Sequence, residues 1–99
     1  MSPDSSPPIS GNTRFRLVRK LPARLVAAET VVVDPARRKV FSLNPVGGAV
    51  WAAVERGERE SEIVDAVVCR FRVDAERARR DVDGFLRQLE AAALVERAE

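Results

Sequence analysis

Thr30 to Gly57 reads TVVVDPARRKVFSLNPVGGAVWAAVERG: a β-branched run, a turn, a second alternating run, then an abrupt change to helical spacing. Thr30, Val31, Val32 and Val33 are a strong strand signal. Asp34-Pro35 opens a turn, with proline favoured at its second position. Arg37, Arg38 and Lys39 lead into a second strand, Lys39 to Leu43. Within it Phe41 and Leu43 share the core-facing side, and Val40 and Ser42 take the other. Asn44 has the side chain of an N-cap, and Pro45 sits at the first helical position, where its missing N–H costs nothing. Gly47, Val50, Trp51 and Val54 recur at three- and four-residue spacing, so Trp51 points inward. Gly47 and Gly48 each weaken this helix by roughly 1 kcal/mol relative to Ala, a choice that close approach to the sheet would explain. Gly57 ends it.

Outward from this stretch, the chain is punctuated on both sides. Phe15 to Val18 and Leu25 to Ala28 flank Pro22, and one or both supply a first strand. Met1 to Asn12 is rich in Ser and Pro and has no charged start followed by an apolar stretch, so it is not a secretory signal. Residues 1–13 are expected to form a disordered tail and residues 14–99 a single domain. A second helix runs from about Ser61 to Phe71, burying Ile63, Val64, Val67, Val68 and Phe71. Cys69 falls nearly opposite that stripe. Asp74 caps a third and longest helix, with Glu76 in the first turn favouring its positive end. Ala78, Val82, Phe85, Leu86, Leu89 and Ala93 trace its apolar face, and Leu94-Val95 closes the fold.

Composition narrows the function. At 99 residues with 45% apolar content, the chain has room for one modest core and little more. Seventeen basic and fifteen acidic residues are interspersed, which argues against the one-sided basic stripe of a nucleic-acid binder. There is no His, hence no usual general base and no commonest metal ligand. One Cys can form neither an internal disulfide nor a zinc cluster, and a cytoplasmic location is expected. Without a base nearby, Cys69 reads as incidental. Pro45 to Val54 is too short an apolar run to span a bilayer. No nucleophile with a plausible partner is visible, so neither an enzyme nor a cofactor protein is expected, and no catalytic or metal-ligating residue is assigned.

Taken together, Val31-Val32-Val33-Asp34, Phe41-Ser42-Leu43-Asn44, Val50-Trp51, Gly57, Glu62-Ile63, Asp81-Val82-x-x-Phe85-Leu86-x-x-Leu89 and Leu94-Val95 resemble the PqqD-like family, the peptide-binding modules called RiPP recognition elements. The match covers roughly Leu25 to Glu96. It implies an α+β winged helix-turn-helix, a small three-stranded antiparallel sheet packed on three helices. It also implies a function: binding the leader segment of a ribosomally synthesised precursor peptide and presenting it to maturation enzymes. The pattern F-x-L-N-P-x-G-x-x-V-W is most similar to the free-standing leader-binding proteins of lasso-peptide pathways, which partner with a leader peptidase. A chaperone for a radical-enzyme modification pathway, as in quinone-cofactor synthesis, is the alternative within the family. Ala93 stands where the family often has Gly, and Arg14 to Arg24 match no family feature.

The family mode is strand addition, with the leader pairing antiparallel to an edge strand and lying in a groove against the third helix. The resemblance therefore points to Lys39, Val40, Phe41, Ser42 and Leu43 as the peptide-binding edge, the ladder adding roughly 0.5–1.5 kcal/mol net per bond. On the third helix Arg79, Asp83 and Leu86 lie along one edge of the apolar stripe with Val82 beneath, while Asp81 and Gln88 border the other edge. Which edge faces the groove is open. Val82 and Leu86 also suit a plain core, and Arg79 and Asp83 a plain surface ion pair. A winged-helix DNA-binding protein is the rival outside the family, yet the arginines of the third helix are offset by Glu76, Asp81, Asp83 and Glu90. Monomer and dimer, including exchange of the N-terminal segment, are both open.

Overall fold

The β-branched run and the alternating run after it form the centre and one edge of a small sheet. The computed structural model describes residues 8–98. Its elements are β1 (Phe15–Leu17), β2 (Ala23–Val26), β3 (Glu29–Asp34), β4 (Lys39–Leu43), α1 (Pro45–Glu55), α2 (Glu60–Phe71), α3 (Ala75–Ala91) and β5 (Val95–Arg97). β2, β3 and β4 make a three-stranded antiparallel sheet in that order, packed with three helices, which is the α+β architecture expected. Val32 of β3 faces Phe41 of β4, and Val33 faces Val40. Both stretches flanking Pro22 contribute: one is β1 and the other overlaps β2. β1 does not join this sheet. It pairs with β5 in a separate two-stranded ribbon, Phe15 opposite Arg97 and Leu17 opposite Val95, bringing the two ends of the domain together.

Trp51 stands at the middle of the core with Val32, Val50, Ile63, Val82, Leu86 and Leu94, all at most 1% exposed. Burying each such aliphatic side chain contributes roughly 1.5–3 kcal/mol. The Asn44 side chain accepts a hydrogen bond from the Gly47 N–H at 2.9 Å, starting α1 where the sheet stops. The two glycines that follow permit close packing. A Cβ on Gly47 would lie 2.6 Å from the Phe85 ring, and one on Gly48 would lie 2.5 Å from the Thr30 hydroxyl.

Of the tail expected over residues 1–13, residues 1–7 lie outside the described residues, and the remainder runs beside α2. Thr13 and Gly11 carbonyls accept from the amides of Glu60 and Ser61, at 2.9 and 3.1 Å. These are first-turn amides that a helix leaves unpaired, so this segment acts as the cap that Arg59 cannot provide. α2 accordingly begins at Glu60, one residue before the expected start. α3 is capped by Asp74, whose carboxylate accepts from the Arg77 N–H at 2.8 Å. It ends at Ala91, and the chain then passes through Ala93 with a left-handed φ of 58°.

Candidate functional site: the open edge of the sheet

The sheet order leaves one flank of β4 unpaired. Which backbone groups face that flank follows from the ladder. The Val33 N–H donates to the Pro22 carbonyl at 2.9 Å, so Val33 points toward β2 and its neighbours Val32 and Asp34 point toward β4. Antiparallel alternation then directs the N–H and C=O of Lys39, Phe41 and Leu43 at β3. Those of Val40 and Ser42 are directed at the empty flank. The side chains follow the same alternation on the two faces. Val40 is 66% exposed and Ser42 is exposed, its hydroxyl donating to Glu29 at 2.6 Å, while Phe41 is half-buried and Leu43 buried.

No Cα of β4 comes within 8 Å of one in α3, so strand and helix backbones are not in direct contact. They are linked through α1 and the β3–β4 turn: Gly47 of α1 abuts Phe85, and the Arg37 guanidinium donates to the Ala92 carbonyl, just past the end of α3, at 2.9 Å. Phe85 therefore marks the side of α3 turned toward α1, and helical spacing puts Asp81 and Gln88 on that same side. Asp81 is paired there with Arg77 at 3.8 Å.

The other expected α3 residues are elsewhere. Val82 and Leu86 are fully buried in the core. Arg79 and Asp83 face α2: Arg79 lies 3.8 Å from Glu60, and Asp83 is that residue's other carboxyl neighbour. So the structure brings together the five β4 residues but sets Arg79 and Asp83 on the far side of α3. Phe85 stood in the apolar stripe of the sequence with no role assigned. Its signal was Gly47, where a Cβ would meet the Phe85 ring, while Gly48 makes room for Thr30 of the sheet.

Two buried acids need separate mention. Asp34, fully buried, lies 3.4 Å from Arg19 and 4.0 Å from Arg37, with one carboxylate oxygen unpartnered. It ties the chain after β1 to the β3–β4 turn. Glu60 is 1% exposed, and its carboxyl is raised from 4.5 to about 8. Burial is the main cause, the Asp83 carboxyl adds to it, and Arg79 opposes it. Among the described residues no cluster of three or more His, Cys, Asp or Glu could hold a metal ion, and no helix is long and apolar enough to cross a membrane.

Comparison with known proteins bears on the fold and the family. The structure of TbiB1 in complex with the TbiA(beta) leader peptide superposes with a TM-score of 0.74 at 31% identity, covering 82% of this chain and 94% of that one. A lasso peptide synthetase B1 complexed with the leader peptide superposes with a TM-score of 0.75 at 16% identity, covering 84% and 98%, a likeness of fold. No curated protein matches the chain. The family model described as coenzyme PQQ synthesis protein D (PqqD) matches residues 29–95, from the first residue of β3 to the first of β5. The chain belongs to the PqqD family.

Proposed function

We propose that this protein binds the leader segment of a ribosomally synthesised precursor peptide by strand addition along β4, and hands it to a maturation enzyme. The observation that carries this reading is the outward-directed backbone of Val40 and Ser42 on an unpaired edge. An antiparallel guest would pair with those two residues, and every second guest side chain would lie on the same face of the sheet as Phe41 and Leu43. Lys39, Val40, Phe41, Ser42 and Leu43 are the contacting strand. Val82 and Leu86 act as core beneath it, and Arg79 and Asp83 act at the α2 contact instead. The 31% identity to a leader-bound protein supports the ligand class. The enzyme served would be a leader peptidase of a lasso-peptide pathway, in the cytoplasm, with residues 14–99 as the binding domain and no cofactor.

Calorimetric titration with the TbiA(beta) leader and with the leader of the genomically adjacent precursor tests the reading. Micromolar or tighter binding is expected for at least one. Proline is tolerated at an edge position whose N–H faces outward, so Val40→Pro should keep the fold while removing one ladder donor. A loss of about 2- to 10-fold in affinity is expected. Unchanged affinity in a folded variant would move the site off β4, and no heat with either leader would refute peptide capture.

A further inference from the structure

The two ends of β4 differ sharply in charge. Around the β3–β4 turn, Arg37, Arg38 and Lys39 follow one another in sequence. Because Pro22 lies opposite Val33, Arg19 and Lys20 reach the same end of the sheet. The acid there is Asp34, buried and shared between Arg19 and Arg37. Lys20, Arg38 and Lys39 are exposed and have no ion pair among the described residues. At the other end stands Glu29, accepting from Ser42, and from Val40 to Val54 the sequence carries no charged residue. The positive end of α1, which begins there, is already satisfied by Asn44.

From these placements we infer that the edge selects peptides bearing acidic residues C-terminal to the segment that pairs with Val40 and Ser42. The inference rests on strand addition at β4. A guest antiparallel to β4 runs from the Leu43 end toward the Lys39 end, so its C-terminal side meets the basic turn. Residues just beyond the two ends of the paired segment are about 20 Å apart at roughly 3.3 Å per residue. That exceeds the Debye length of about 10 Å at 0.1 M salt. An acid at one end of the guest therefore feels the basic cluster and an acid at the other end does not. The gradient would also fix the direction in which the guest is laid down.

Two fluorescein-labelled synthetic peptides of identical composition test this, with blocked termini and the same alternating Thr-Val core. One carries an Asp-Glu-Asp run after the core, the other before it. Fluorescence anisotropy at low salt should show the first binding about 5- to 10-fold more tightly. The difference should shrink toward nothing near 1 M salt, where the Debye length is about 3 Å. The double variant Arg38→Glu, Lys39→Glu should remove or reverse the preference. Equal affinities, both weakened by Val40→Pro, would overturn the charge selection and leave edge binding standing. No binding by either peptide would overturn both.

Discussion

Replacing Glu60 by glutamine isolates the one strongly perturbed ionisation among the described residues. Glu60 opens α2 with its side chain sealed beneath Arg79 and beside Asp83, 1% exposed, and one oxygen unpartnered. Its carboxyl titrates near 8 in the folded chain against 4.5 when unfolded. A raised folded value means that the native state holds the proton more tightly. This contribution is therefore fully present below pH 4.5 and is lost progressively as the pH rises through about 8. Each unit of displacement is worth about 1.4 kcal/mol, so several kcal/mol depend on that proton. Domains of this size have a total stability of about 5–15 kcal/mol, and the loss is a large share of it. Urea denaturation at intervals from pH 5 to 9 should show the wild-type midpoint falling over this range. Glu60→Gln, which keeps the shape and cannot ionise, should flatten the curve and be the more stable protein at pH 9. Parallel curves for the two proteins would show that Glu60 is hydrated and refute the buried-proton account.

Trp51→Ala should lower the unfolding free energy by about 3–5 kcal/mol, since its side chain fills the centre of the core; a near-unchanged melting temperature would contradict the packing. Gly47→Ala should cost about 1–3 kcal/mol because its Cβ would fall 2.6 Å from the Phe85 ring. Chemical denaturation checks it, and a neutral result would mean the ring moves freely. Ala93→Gly should stabilise the chain by up to about 1 kcal/mol: the left-handed conformation costs an L-residue roughly 1–2 kcal/mol, partly offset by the greater freedom of unfolded glycine. A destabilised variant would argue against the left-handed turn after α3.

What was legible in the sequence was local. The β-branched run at Thr30–Val33, the change of period at Asn44-Pro45 and the inward Trp51 depend on neighbours within a turn or two, and each stands where its pattern puts it. The β1–β5 ribbon was not legible, because Phe15 and Arg97 are brought together only by the folded helices between them. Nor was the use of Gly11 and Thr13 as a cap for α2, since these small polar residues read equally well as tail. Nothing in the sequence around Glu60 marks it as buried, because the groups beside it, Arg79 and Asp83, lie on another helix. The candidate edge itself was readable, because Lys39 to Leu43 alternates and ends in a helix cap. The side of α3 that faces it was not, since a stripe flanked by charges on both sides looks the same from either. The contact of Gly47 with Phe85 and the packing of Arg79 and Asp83 against Glu60 distinguish the two.

Amide hydrogen exchange followed by NMR with and without bound leader addresses the edge directly. In the free protein the Phe41 amide, directed at β3, should be protected, while those of Val40 and Ser42, directed at the open flank, exchange fast. On leader binding Val40 and Ser42 should become protected and Phe41 should change little. Bound leader with Val40 and Ser42 still exchanging at their free rates would contradict strand addition at β4.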